Sequence, residues 1–253
     1  MGIIDINMEN IENNHICCAI GNDKLNKKRE NTKKDWMKGN FDNGLKFKRL
    51  DERGKVFIEY MPIETVWKPV IGENYMMINC LWVSGKFKGK GFSVKLLDEC
   101  IKDSKNQNKD GIAVVCSNKT KAFLTDKKFY LKQGFEVADY AEPYFELLVL
   151  KFNEKAQNPK FSDKAKKGIF ENKSDFSFVY SNQCTFMEDI IYDLGNFLKS
   201  QNKYFEIIKL NNFEEAKEKG SPFGTFGLYY KGKFVTHRIM KEKEFEKEIS
   251  KLI

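Results

Sequence analysis

The segment GKFKGKGFSVKLL, running from Gly85 to Leu97, places three glycines and three lysines in its first seven residues and then turns apolar. A helix N-terminus presents unpaired N–H donors and about half a positive charge. Glycine removes the side chain that would hold a ligand away from the backbone, and lysines add charge suited to a polyanion. One such glycine is only a helix start. The three together, beside lysines 86, 88 and 90, point to backbone amides aimed at a phosphate.

Around this segment the pattern is mixed α/β. Upstream lie three runs rich in β-branched and aromatic residues, LKFKRL, KVFIEYMP and YMMINCLWV, separated by the turn sequences DERG and IGEN. Before them come a short apolar start from Gly2 to Ile6, helical spacing in ENIENNHICCAI and a polar helix from Lys24 to Lys38. Downstream, the glycine-lysine segment opens a helix to about Asp103. A buried strand GIAVVC, a helix KKFYLKQGF and the strands FEVADY and YFELLVLKF follow.

Between residues 153 and 175 Lys, Asn, Ser and Glu dominate, the composition of a linker. The expected organisation is one domain over 1–152, a linker over 153–175 and a smaller domain over 176–253. The last part reads as strand FSFVY, helix FMEDIIYDLGNFLKS, strand YFEIIKL, short helix NFEEAKEK, a hairpin turned at Lys231-Gly232 and a final helix.

With 253 residues, 41% hydrophobic and 14% aromatic, the chain can build a sizeable core. The formal charge of +8 favours acidic partners, yet lysine alternates with Asp and Glu almost everywhere. No basic stripe with interleaved aromatics marks nucleic-acid binding. The six cysteines, Cys17, Cys18, Cys80, Cys100, Cys116 and Cys184, lack C-x-x-C spacing and sit mostly in apolar runs, as reduced thiols of a cytosolic protein do. No secretory h-region opens the chain, no apolar run has membrane-spanning length, and Ile6 stands where a myristoylation signal following Gly2 needs Ser or Thr. A soluble, cytoplasmic protein without membrane or nucleic-acid partners is expected. His15, Cys17 and Cys18 lie too close in sequence for all three to converge on one ion, so no metal is expected.

Lys88-Gly89-Lys90-Gly91-Phe92-Ser93, after the strand INCLWV and before a helix, resembles the R/Q-x-x-G-x-G/A signature of the GNAT superfamily of N-acetyltransferases. Lys88 replaces Arg or Gln, and Ser93 replaces Gly or Ala. FYLKQGFEV, with Tyr130, Gly134 and Phe135, is similar to the family's Y-x-x-x-G-F, although Phe123 and Leu124 stand where an asparagine is often found. The resemblance covers about residues 1–152. It implies a mixed β-sheet splayed between its central strands, with acetyl-coenzyme A wedged into the opening. The whole arrangement resembles the YoaP-like acetyltransferases, whose small C-terminal domain is similar to thioredoxin in element order. There Cys184 falls between the first strand and helix, and Pro222 takes the place of the thioredoxin cis-proline. Cys184-Thr185-Phe186-Met187 lacks the second cysteine of a redox pair.

From this resemblance follows an acetyl-CoA-dependent transfer to an amine, small molecule or peptide, by direct attack in a ternary complex. Lys88, Gly89, Lys90, Gly91, Phe92 and Ser93 are the expected pyrophosphate cradle, and the backbones of Leu81 and Val83 the expected partners of the pantetheine arm. An alkyl ammonium with a pKa of about 10.4 must lose a proton before attack. Glu59 on the strand FIEYMP is the expected base, with Glu64 and Asn79 as alternatives. Tyr130 is the expected donor to the departing thiolate. Two alternatives are a non-catalytic acyl-CoA-binding module and a thiol sensor working through Cys184.

Overall fold

The computed structural model describes residues 2–16, 18–171 and 174–252. It divides into two compact units. The first comprises the chain up to Val66, Ile71–Asp139 and Glu146–Lys160; the second comprises Trp67–Val70, Tyr140–Phe145 and the chain from Phe161 onward.

In chain order the first unit draws on β1 (Ile3–Ile6), α1 (Lys24–Phe41), β2 (Lys46–Leu50), β3 (Val56–Pro62), β4 (Val70–Ile71), β5 (Tyr75–Val83), α2 (Phe92–Asn106), β6 (Gly111–Ser117), α3 (Lys127–Lys132), β7 (Glu136–Ala141) and β8 (Phe145–Lys151). Seven strands form one sheet in the order β1-β2-β3-β5-β6-β8-β7. The steps from β1 to β5 are antiparallel and the step from β5 to β6 is parallel. A parallel step needs a crossover, and α2 supplies it. Its apolar face buries Leu96, Leu97 and Cys100 against Ile58, Tyr60, Met76, Ile78, Ile112 and Val114 of the sheet. The helix is also held by charge: Lys48 Nζ lies 3.0 Å from both Glu99 and Asp103, and the Tyr60 hydroxyl donates to Asp103 at 2.5 Å.

α1 is polar along most of its length but buries Trp36 and Met37. Asp23 starts it by accepting from the Asn26 amide at 3.0 Å. The helix expected over ENIENNHICCAI does not form. A single 3-10 turn occupies Ile11–Asn13, and Cys17 lies outside the described residues. Asparagine side chains satisfy the backbone in its place: Asn10 donates to Asp5 O at 2.8 Å and Asn14 to Asn10 O at 2.9 Å. Such local bonds compete with a helical ladder. The apolar residues that produced the helical spacing, Ile11, Ile16 and Ala19, are nevertheless buried.

The second unit contains the short β9 (Lys160–Phe161) at its entry, α4 (Asp163–Lys166), β10 (Phe176–Tyr180), α5 (Met187–Ser200), β11 (Phe205–Lys209), α6 (Phe213–Lys219), β12 (Phe226–Tyr230), β13 (Lys233–Thr236) and α7 (Glu242–Ile249). Its sheet runs β11-β10-β12-β13, with β10 parallel to β11 and antiparallel to β12, and β12 antiparallel to β13. α5 buries Met187, Ile191, Leu194 and Leu198, at helical spacing, in a core with Phe178, Leu228 and Phe245. The β12–β13 turn has positive φ at both Lys231 (47°) and Gly232 (76°), the geometry expected of a two-residue hairpin.

The polar stretch read as a linker is folded over much of its length. Phe161 and Ala165 are buried, and Phe170 packs at a tilt against Tyr229 with ring centroids 4.9 Å apart. The Phe170 amide donates to Gly232 O at 2.8 Å and the Phe234 amide to Gly168 O at 2.9 Å, adding a further edge beside β13. The continuous C-terminal part of the second unit therefore starts at Phe161, before residue 176, and the unit also takes in Trp67–Val70 and Tyr140–Phe145. Three apolar anchors among lysines were enough to fold a segment whose average composition reads as linker. Among the described residues no helix is long and apolar enough to cross a membrane.

Candidate functional site

β5 and β6 stay in register from Tyr75↔Gly111 to Ile78↔Val114 and pair no further, although β5 continues to Val83 and β6 to Ser117. On its other edge β5 remains paired with β3 as far as Val56↔Val83. The sheet thus opens between its two central strands and leaves one edge of Asn79 to Val83 without a strand partner among the described residues. A bulge marks the point of opening. Glu59 pairs with Cys80 and Tyr60 with Ile78, so Asn79 is an extra residue on β5. The bulge resets the side-chain alternation, because Ile78 and Leu81, three apart, both enter the core beneath α2.

The glycine-lysine segment joins the end of β5 to α2. Gly85, Gly89 and Gly91 have φ of 62°, 73° and 77°. Gly91 is the residue immediately before the helix and offers no side-chain cap. Phe87, only 4% exposed, and Phe92 meet edge to face with centroids 5.8 Å apart, anchoring the loop to the core. Among the described residues the amides of Gly89, Lys90, Gly91, Phe92 and Ser93 donate to no protein group. A Cβ on Gly89 or Gly91 would meet nothing within 4 Å, so the cradle is open. Lys86, Lys88 and Lys90 are exposed and form no ion pair among the described residues, and the first turn of α2 carries no acidic residue. Donors, dipole and unneutralised cations all favour an anion here.

Val83 ends β5 on the open edge, whereas the Leu81 carbonyl is engaged, accepting from Thr125 Oγ1 at 3.3 Å. Tyr130 lies on α3, which Asp126 caps by accepting from the Lys128 amide at 2.8 Å. Its ring is fully buried, edge-on to Phe129 and Phe135, and its hydroxyl has no hydrogen-bond partner among the described residues. Burial pushes the phenol well above its ordinary value of 10.0. The neighbouring Cys116, Cys80 and Cys100 act in the same direction, and the nearby Thr125 side chain opposes them.

Glu59 stands on β3 opposite Cys80, beside the bulge, and is 2% exposed. It forms an ion pair with Lys33 of α1, itself 1% exposed, whose ammonium also lies 4.2 Å from the Trp36 ring centre. Glu64 is exposed and accepts from the Asn74 amide at 2.6 Å, fastening the start of β5 away from the opening. Sequence reasoning gave Asn79 a minor place and missed Thr125 and Lys33. The visible signal for Asn79 was one amide within the apolar run YMMINCLWV.

Cys184 lies in the loop from β10 to α5, half-buried against the second core, with Phe186 rather than the cysteine preceding the helix. Pro222, expected at a cis-proline position, follows a trans peptide; the cis peptide among the described residues joins Glu142 to Pro143. His15 contacts Gly54 O at 3.2 Å and the Arg49 guanidinium at 3.2 Å. Burial and that guanidinium hold the imidazole below its ordinary value. No group of His, Cys, Asp and Glu suited to a metal occurs among the described residues.

Solved structures that match part of the chain include PaiA N-acetyltransferase from Thermoplasma acidophilum in complex with coenzyme A, 17% identical over 60% of this chain and 100% of that one, with a TM-score of 0.40. Another is the ribosomal-protein-alanine N-acetyltransferase from Brucella melitensis, 12% identical over 60% of this chain and 100% of that one, with a TM-score of 0.43. A family model described as YoaP-like matches residues 205–247. The Bacillus subtilis (strain 168) protein called Uncharacterized N-acetyltransferase YoaP is 41% identical over 252 residues, spanning 100% of both chains. Identity of that extent, across both units, shows that the chain belongs to the YoaP-like N-acetyltransferase family.

Proposed function

We propose that this transferase uses acetyl-CoA as its acyl donor and passes the acetyl group to an amine by direct attack in a ternary complex. The observation that carries the reading is the row of amides from Gly89 to Ser93 at the head of α2, unbonded among the described residues and flanked by three lysines that form no ion pair there. Coenzyme A brings a pyrophosphate to be held by those amides and a 3′-phosphate for the lysines. Its pantetheine arm then lies along the unpaired edge of β5 at Leu81 and Val83, replacing the Thr125 contact to the Leu81 carbonyl.

In the transfer the amine nitrogen forms a bond to the thioester carbon, the carbonyl electrons move to oxygen, and collapse expels the CoA thiolate. Glu59 is assigned the amine proton. Tyr130 is assigned the leaving sulfur. An ordinary phenol and thiol differ by about 1.5 pKa units, so full proton transfer from tyrosine is already uphill by roughly 2 kcal/mol. Burial raises the Tyr130 phenol further, so its role is to donate a hydrogen bond to the thiolate while keeping its proton.

The second unit we assign to a thioredoxin-like fold, which its parallel β10–α5–β11 unit and antiparallel β12–β13 hairpin support. Cys184 has no neighbouring cysteine in sequence, so it is assigned to packing and binding rather than to a dithiol cycle.

The test is release of free CoA thiol from acetyl-CoA in the presence of a panel of primary amines, including spermidine, lysine and a peptide with a free N-terminus. Amine-dependent release by the wild type that is lost in Glu59→Gln supports the reading. Binding of acetyl-CoA without transfer to any amine favours the non-catalytic module.

A further inference from the structure

Asn79 is the extra residue of the β5 bulge, at the point where β5 and β6 part. Its side-chain oxygen and nitrogen are both shut off from solvent, and neither has a hydrogen-bond partner among the described residues. A buried carboxamide with every donor and acceptor idle is expensive, and folding alone gives no reason to keep one in a strand that is otherwise Tyr, Met, Ile, Cys, Leu, Trp and Val. Two residues on, the Leu81 carbonyl accepts from Thr125 Oγ1 at 3.3 Å, and the Tyr130 hydroxyl has no hydrogen-bond partner among the described residues.

We infer that the Asn79 carboxamide is a catalytic residue that binds the reacting acyl centre. This inference rests on the acetyl-transfer reading above. The chemistry of the step matches a carboxamide at both ends. A thioester carbonyl oxygen accepts hydrogen bonds and gains charge as the amine attacks, while the attacking nitrogen still carries an N–H. Oxygen and nitrogen sit on one carbon in the tetrahedral intermediate, so they present an acceptor and a donor side by side. Asn79 Nδ2 donates to the carbonyl oxygen and Oδ1 accepts from the amine N–H, each more strongly as the carbon becomes tetrahedral. A carboxamide takes no proton at neutral pH, so it orients both reactants without competing with Glu59 for the proton.

The test compares calorimetric titrations of acetyl-CoA and of CoA, which lacks the carbonyl. The wild type is expected to bind acetyl-CoA about fivefold more tightly than CoA, as one added hydrogen bond gives. In Asn79→Leu that ratio is expected to fall to about one, with CoA affinity unchanged and the melting temperature equal or higher, since an unpartnered amide has been removed. Asn79→Asp, which keeps the acceptor and removes the donor, is expected to lose the same preference, and Asn79→Ser supplies the comparison if the leucine variant does not fold. A preference for acetyl-CoA that survives in these variants overturns the inference, as does a wild type that binds both ligands equally. A wild type that binds neither ligand overturns instead the acetyl-CoA reading beneath it.

Discussion

The ammonium of Lys33 and the carboxylate of Glu59 form an ion pair whose side chains are 2% and 3% exposed, joining α1 to β3 across the face of the sheet opposite α2. Withdrawing two charges from water is costly, and their attraction offsets that cost only while both are present. Lys33→Met leaves the Glu59 carboxylate in the core without this cation and is expected to cost about 3–5 kcal/mol in denaturant unfolding. The double variant Lys33→Met, Glu59→Leu is expected to recover most of that loss. It is also expected to lack transfer activity, because Glu59 is assigned the proton. Recovery of stability without recovery of activity separates the two roles in one experiment.

Tyr130→Phe removes a buried hydroxyl that has no partner among the described residues, so it is expected to leave the melting temperature unchanged or raise it. Loss of the hydrogen bond to the leaving thiolate is expected to lower kcat by about 10²-fold, with acetyl-CoA affinity unchanged. Burial raises the phenol above 10.0, so the wild-type rate is expected to show no fall from tyrosine ionisation up to pH 10. A rate that declines between pH 8 and 9 through loss of a tyrosine proton contradicts this assignment.

Much of the first unit was legible because its strands and helices carry strong local patterns. The open loop was legible because three glycines at positive φ and three lysines are visible one by one. What escaped depended on partners distant in sequence. Lys33 reads as one more charge on a polar helix until Glu59, 26 residues away, is brought against it. The early helix failed because periodicity recorded the burial of Ile11, Ile16 and Ala19 correctly but not the asparagine side chains that replace a helical ladder. The end of the apparent linker was missed because Phe161, Ala165 and Phe170 are few, yet each is buried.

Asp110 ties three parts of the first unit together at the base of the open sheet. Its carboxylate accepts from Asn153 Nδ2 at 2.8 Å and from Asn74 Nδ2 at 2.9 Å. The Asn153 bond, then the Asn74 bond, hold the carboxyl below its ordinary value of 3.8. A depressed carboxylate contributes stability above its unfolded pKa and loses it as pH falls through the folded one. Wild type is therefore expected to be more stable than Asp110→Ala near pH 6. The stability difference that belongs to the charge is expected to shrink below pH 3.8, as followed by urea unfolding at a series of pH values.

Cys100 and Cys116 are fully buried, and burial pushes both thiols up. Cys18, Cys80 and Cys184 are half-buried. Labelling of the native protein with a disulfide reagent, read by peptide mass spectrometry, is expected to modify the second group and to spare Cys100 and Cys116 until the protein unfolds. Fast labelling of either thiol in the native protein contradicts the burial of Cys100 and Cys116 in the core of the first unit.

The central claim, that the head of α2 is a phosphate cradle for acetyl-CoA, is tested most directly by calorimetric titration of acetyl-CoA into the wild type and Gly91→Glu. Glutamate there adds a negative charge at the cradle, and at φ 77° its backbone strain costs about 1–2 kcal/mol, so thermal melting must first confirm that the variant is folded. The account predicts micromolar binding by the wild type and none by the folded variant. Equal binding by both proteins would contradict it.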